Sequence, residues 1–230
     1  LDVGHGLAVV IEKNDHVFLY DVGASYPSGF NMADAVLLPY LAYQGYQQVD
    51  GVIISHNDND HAGSLSRLRE KITVNKVIAN DMSFLPDSTC LQGDIFIWQG
   101  LQFEFLSPTQ VKGDKNDDSC VVIISDGFQQ VLLPGDISVK QEQVLLSNKE
   151  ISKKQISNKE ISNKEISKKQ ISNKQISNKQ ISKKLTSDIL IAPHHGSKSS
   201  SSLAFLSAVA PDYAVFSTGY LNHWNMPSPQ

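Results

Sequence analysis

VIISHNDNDHAGS, residues 52–64, is the stretch on which the reading of this chain turns. An apolar run with the character of a buried strand ends in two histidines and two aspartates within residues 56–61. Burying unpaired charge is costly, so this many titratable groups at one strand end require a shared partner. The loop has the form H-x-D-x-D-H and leads into a helix. On an extended backbone alternate side chains leave the same face, so His56, Asp58 and Asp60 are expected to converge while His61 turns back from the helix start. An Asn/Asp turn capping the helix accounts for one carboxylate but for neither histidine. The loop reads as metal-binding, with enough ligands for two cations.

The same theme recurs twice downstream. QVLLPGDI carries Asp136 after an apolar run and a Pro-Gly break, where a distant carboxylate can bridge two metals. DILIAPHHGS ends another apolar run in His194 and His195. Adjacent residues of an extended backbone point in opposite directions, so one histidine is expected to ligate metal and the other to contact substrate, donate a proton or support a ligand. Both are catalytic candidates along with Asp60, and His194 is placed among the ligands. Gly196, Ser197 and Lys198 offer backbone, hydroxyl and ammonium donors for a substrate phosphate. Asp21, in FLYDVG, is expected to hydrogen-bond the histidine loop instead of ligating directly. Ser119 is assigned a similar supporting place.

Around these motifs short β-rich runs alternate with turns: LAVVIE, HVFLYDVG, GVIIS, VNKVIA, DIFIW, LQFEFL, SCVVIIS, QVLLPGD, DILIAP and YAVFSTG. Several are apolar on both faces, as in strands covered by a second sheet on one side and helices on the other. Helices are expected from Ala33 to Gln44, closed by Gly45; from Ser64 to Lys71 with Ser64 as N-cap; and from Ser202 to Val209, stopped by Pro211. The order, β strands then βα, twice over, predicts an α/β (α+β) layered sandwich with its polar motifs at one edge.

With 230 residues and 40% hydrophobic content the chain can bury a substantial core. No stretch approaches the roughly eighteen consecutive apolar residues of a membrane helix, and no targeting signal is recognisable, so the chain reads as soluble. It begins with Leu1 inside an apolar segment and stops at Gln230 just after a strand-like run, and reads as an excised piece. Cys90 and Cys120 are the only cysteines, which excludes a cysteine-based zinc knuckle and leaves open whether they pair.

From Leu146 to Leu185 a five-residue unit repeats, as in ISNKE and ISKKQ. This segment holds 11 Lys and 3 Glu; subtracted from the chain's 20 basic and 24 acidic residues, it leaves 9 and 21, so a body of net charge −12 carries a +8 insert. A period of five advances a helix by about 140° per unit, spreading the isoleucines around the axis and leaving no apolar face. The segment reads as a disordered or solvated helical insertion, with a DNA-attracting basic arm as the alternative. The expected organisation is one domain of residues 1–145 and 186–230, interrupted by 146–185.

Taken in order, DVG at 21–23, SHNDNDHAGS, LLPGD and APHHGS resemble the metallo-β-lactamase fold. LDVGHGLAVVIE, VLLPYLAYQG, NDDSCVVIIS and HHGSKSSSS are similar, more narrowly, to the hydrolase domain of ComEC-type DNA-uptake proteins of competent bacteria. The resemblance covers nearly all of the chain outside the repeat. It implies an αββα sandwich with two metal ions between the sheets: His56 and Asp58 on the first, Asp60 and His61 on the second, Asp136 bridging, and His194 or His195 completing the second. Many family members place a histidine where this chain reads Asn116-Asp117-Asp118-Ser119, so the first metal is short of a strong ligand. Where relatives often read N…HP, this chain reads Asn222-His223-Trp224-Asn225-Met226-Pro227; Met226 cannot replace that histidine, and His223 could only with a different loop geometry.

Asp58 makes the ligand set rich in oxygen, which favours manganese relative to zinc, with zinc retained and magnesium possible. Paired cations lower the pKa of a shared water and neutralise charge on an attacked phosphate. The resemblance thus implies a nuclease acting on DNA, single-stranded, during uptake. It also implies a place outside the cytoplasmic membrane face, with the membrane channel of the full-length protein as partner. Two alternatives stand beside it: hydrolysis of a small ester, lactone or β-lactam by the same centre, and a vestigial, non-catalytic module.

Overall fold

The computed structural model describes residues 1–147 and 185–229; the repeat expected at 146–185 therefore lies, except for its end residues, outside the described part. Twelve strands are described. A four-stranded sheet has the order β1-β2-β4-β6, formed by Val9–Lys13, His16–Tyr20, Gly51–Ile53 and Val77–Ile78. A six-stranded sheet has the order β12-β11-β10-β9-β8-β7, formed by Tyr213–Val215, Ile189–Ile191, Gln130–Leu133, Val121–Ser125, Leu101–Ser107 and Ile95–Trp98. A two-stranded parallel pair, β3 (Gln48–Val49) and β5 (Thr73–Val74), completes the set. This pair is absent from the sequence reading because two-residue strands carry no periodicity.

The period-two alternation of the strands builds the layers. In β2, Val17 and Leu19 enter one core cluster while Phe18 and Tyr20 enter another. In β9, Val122 and Ile124 join Phe18 and Tyr20, and Val121 and Ile123 face a third cluster. The first cluster lies between the small sheet and helices α1 (Leu38–Tyr43) and α3 (Leu65–Lys71), through Leu41, Leu65 and Leu68. The second fills the space between the sheets. The third lies between the large sheet and helices α4 (residues 139–147) and α5 (Leu203–Val209), through Leu145, Phe205 and Val209. Three interlayer cores make four layers, the αββα sandwich expected from the sequence.

Local departures have local causes. The helix expected over Ala33 to Gln44 starts as a wide π-turn, Ala33–Leu37, before α1. Pro39 lacks an amide, and its ring crowds the carbonyl four residues back, which a widened turn relieves. Gly45, at φ 85°, ends the helix as expected. Ser64 precedes α3 but does not cap it: its hydroxyl donates to Ala24 O at 2.7 Å and accepts from Met32 N at 3.0 Å, tying the helix start to the preceding loop. Ser202 does cap α5, accepting from Phe205 N. Cys90 and Cys120 form a disulfide in the intersheet core. Leu145, Leu146 and Leu185, at the two flanks of the repeat, pack into the third cluster. No helix among the described residues is long and apolar enough to cross a membrane.

Candidate metal centre

The segments that follow β2, β4, β10 and β11 meet at one edge of the sandwich. Asp21 leaves β2 with a left-handed backbone (φ 57°). Its buried carboxylate accepts the Ser55 amide and the Ser55 hydroxyl, each at 2.7 Å, and faces His61 Nδ1 at 2.7 Å. A hydrogen bond at Nδ1 fixes the ring and leaves Nε2 to face the centre. Helix α2 (Asn59–Ala62) carries Asp60 and His61, and the His61 carbonyl accepts from Val22 N at 2.8 Å, joining the histidine loop to the Asp21 segment.

Asp136 is brought in from the far sheet. Gly135 (φ 61°) passes so close to Ser119 that a Cβ there would sit 2.9 Å from the Ser119 Cβ, so only glycine allows the approach. The Asp136 amide donates to Ser119 Oγ at 3.3 Å. Asp136 Oδ1 lies 3.1 Å from His61 Nε2, and Oδ2 lies 3.5 Å from His195 Nε2, 3.9 Å from His194 Nε2 and 4.0 Å from His56 Nε2. Burial works to raise the Asp136 pKa, but the imidazoles of His61, His195 and His56 hold it far below the ordinary carboxylate range. Burial likewise opposes charge on His61, yet Asp136 and Asp21 push its pKa well above normal. Asp60 is lowered too, against the effect of burial, by its contact with His195 and by His61.

Two triads of potential ligand atoms, each within 4.8 Å of one another, share this edge: His56, His61 and Asp136, all buried; and His5, Asp60 and His195. The two adjoin, since His61 Nε2 and His195 Nε2 are 3.2 Å apart. His56 Nε2 is buried and makes no hydrogen bond among the described residues, with Asp58 Oδ2 3.6 Å and Asp136 Oδ2 4.0 Å away. Its other ring nitrogen lies 2.9 Å from Ser55 Oγ, so the ring is fixed with an unpaired nitrogen directed at the carboxylates. Anionic carboxylates beside imidazoles form an N/O donor set that suits divalent cations. The residues present therefore fit such ions.

Several sequence expectations change. The backbone of the histidine pair is not extended: both residues are left-handed, at φ 50° and 55°, in a tight turn over Pro193–Gly196. His195, not His194, has its ring in the centre, 3.2 Å from Asp60, with Nδ1 against Ser217 O at 2.9 Å. His194 stands at the rim, with Nδ1 3.3 Å from Ser199 Oγ. His61 groups with His56 more than with Asp60, which is 4.0 Å away. Asp58 belongs to neither triad: it lies 3.6 Å from His56 Nε2 and accepts from Lys115 Nζ at 3.1 Å. His56 and Lys115 hold its carboxyl low despite partial burial. Lys115 rides on the loop before β9, which the Asp118 carboxylate folds by accepting the amides of residues 112, 113 and 114.

The donors expected for phosphate are largely spent. The Ser197 amide donates to His194 O at 2.9 Å, its hydroxyl pairs with Ser199 Oγ, and Gly196 is packed beneath Phe216; Lys198 stays exposed. In the 222–227 loop, Asn222 bonds Gly219 O, Met226 O and Met226 N, and the His223 ring packs on Trp224. His5 is absent from the sequence reading: it sits between two glycines before β1, with only Asp2 as a potential ligand nearby in the chain. Recesses lie at two edges of the centre. One of about 290 Å³ is lined by His56, Asn57, Met82, Phe84 and Lys115; one of about 770 Å³ by Gly4, Phe216, Ser217, Tyr220 and Met226.

Residues 1–83 match the profile described as the Metallo-beta-lactamase superfamily. Across 99% of its length the chain is 35% identical to "Recombination protein 2" of Haemophilus influenzae, covering 25% of that protein. It is 32% identical to "Uncharacterized protein YcaI" of Escherichia coli, covering 26%, and 29% identical to "Competence protein ComA" of Neisseria gonorrhoeae, covering 28%, in each case over 99% of this chain. The chain thus spans about a quarter of the length of the curated relatives it matches.

Proposed function

We propose, for a chain that carries a metallo-β-lactamase-fold domain similar to one quarter of those relatives, a metal-dependent phosphodiester hydrolase that cleaves DNA, single-stranded, during uptake. The observation that carries the reading is the buried Nε2 of His56, without a hydrogen bond among the described residues and aimed at a carboxylate centre drawn from three distant chain segments. A buried unpaired nitrogen beside Asp136 is stabilised by a cation.

In this reading His56, His61 and Asp136 hold one divalent ion, with Asp58 at its rim, and Asp60 and His195 hold the other. Three imidazoles and two carboxylates at these positions suit zinc as well as manganese, with magnesium as a further alternative. Such ions supply Lewis acidity toward a phosphoryl oxygen and lower the pKa of water. Asp21 and Ser217 keep His61 and His195 oriented through their Nδ1 atoms. In this reading His194, partly exposed at the rim, passes a proton to a leaving oxygen. The exposed Lys115 ammonium beside Asp58 supplies positive charge where a phosphate approaches, and recesses at two edges suit a substrate that extends past the centre.

The relatives named for recombination and competence support DNA as the polymer. The Cys90–Cys120 disulfide supports an oxidising compartment outside the cytoplasmic membrane face, where the membrane channel of a full-length protein is the partner. Incubating the chain with end-labelled single- and double-stranded DNA in Mg, Mn and Zn tests the reading. Metal-dependent shortening of the single strand is expected; intact DNA in every metal, with turnover of a small ester instead, overturns it.

A further inference from the structure

Resting on the metal-centre reading above, we propose that His5 is a metal-binding residue that completes the second cation subsite with Asp60 and His195. Asp60 and His195 are joined at this subsite by Asp136, whose Oδ2 lies 3.5 Å from His195 Nε2, and His5 adds a further imidazole beside them. The segment that brings His5 there is built for close approach. Gly6, at φ 145°, passes over α2 so tightly that a Cβ would sit 2.5 Å from the Asp60 carbonyl oxygen, and Leu7 N donates to that same oxygen at 3.0 Å. On the other side, a Cβ on Gly219 would come within 2.8 Å of the His5 amide. Glycine at both positions lets the backbone of residue 5 settle against Asp60.

The ring is then clamped. Trp224 stacks on it with centroids 4.1 Å apart and planes 18° apart, and the His195 ring lies 4.5 Å away on the side of the centre. Any flat ring would satisfy the stack. Stacking gives no reason, however, for the buried His5 Nδ1, which lacks a hydrogen-bond partner among the described residues. With a ligand atom of His5 within 4.8 Å of those of Asp60 and His195, a shared cation gives this side chain a role that packing does not.

The test compares the 230-residue chain with His5→Phe, which keeps a stacked ring and removes both nitrogens. Manganese binding is measured by equilibrium dialysis with metal analysis. Histidine 15N spectra of the unsubstituted chain are recorded during zinc titration, so that the role of His5 is read even if the variant folds poorly. Two bound ions in the unsubstituted chain, one of them weakened at least roughly tenfold in His5→Phe, together with a zinc-induced shift of a His5 ring nitrogen, are expected. Two ions bound equally well by both chains, or an unmoved His5 resonance, overturn the role of His5 while leaving the two-ion centre standing. Fewer than two ions in the unsubstituted chain overturn the centre itself and this inference with it.

Discussion

Asp21 Oδ2 lies 2.7 Å from His61 Nδ1, and neither side chain exposes any surface. This contact joins the end of one strand to the start of α2, and the same carboxylate also holds the amide and hydroxyl of Ser55. One buried acid thus serves three donors around the loop that carries the centre. Asp21→Ala removes the acceptor they share, with only Ser55 Oγ, 3.3 Å from His61 Nδ1, left to replace it for one of them. A loss of about 3–5 kcal/mol in urea unfolding is expected, together with metal binding weakened by roughly 10- to 100-fold. Stability within 1 kcal/mol of the unsubstituted chain would show the contact to be dispensable.

Asp60 offers the converse case, because its side chain is partly exposed and its structural bond is made by the main chain, which accepts from Leu7. Asp60→Asn should leave thermal unfolding of the metal-free protein within about 3 °C, since surface-accessible isosteric changes cost little. Manganese-dependent cleavage of labelled DNA should fall at least roughly a hundredfold. Cleavage at the original rate would remove Asp60 from the centre.

Cys90 and Cys120 are both fully buried and 30 residues apart in sequence. Closing a loop of that length stabilises the fold by about 3.5 kcal/mol in the chain-entropy account. Denaturant unfolding with and without a reductant should separate by a large part of that amount, and coincident midpoints would argue against the bridge.

Leu145, Leu146 and Leu185 occupy the same cluster as Phe205 and Val209, so both flanks of the repeat are anchored in the third cluster. Replacing residues 148–184 by a short Gly-Ser linker should change unfolding free energy by less than about 1 kcal/mol, because loop entropy varies slowly with length. The fall of DNA affinity with salt should survive that replacement. A collapse of the salt slope would assign the phosphate contacts to the repeat's lysines.

The sequence by itself determined the ten strands of the two larger sheets, three of the helices that flank them, and that histidines and aspartates gather at strand ends, but neither the β3–β5 pair nor the helix of residues 139–147. Period-two patterns such as HVFLY and VVIIS each divide into two faces, and two faces on each of two sheets leave little choice but four layers. The loop of residues 56–61 announced a metal centre for the same reason: its ligand types are close in the chain. Only the tertiary structure decided that His195 points inward and His194 stands at the rim, that Lys115 occupies Asp58, that Cys90 meets Cys120, and that His5 arrives beside Asp60. Those relationships join positions about 30 to 190 residues apart, where side-chain spacing along one element carries no information. They depend instead on how the two sheets are set against each other, on left-handed backbone at residues 194 and 195, and on glycines at 6 and 135 that let separate segments touch.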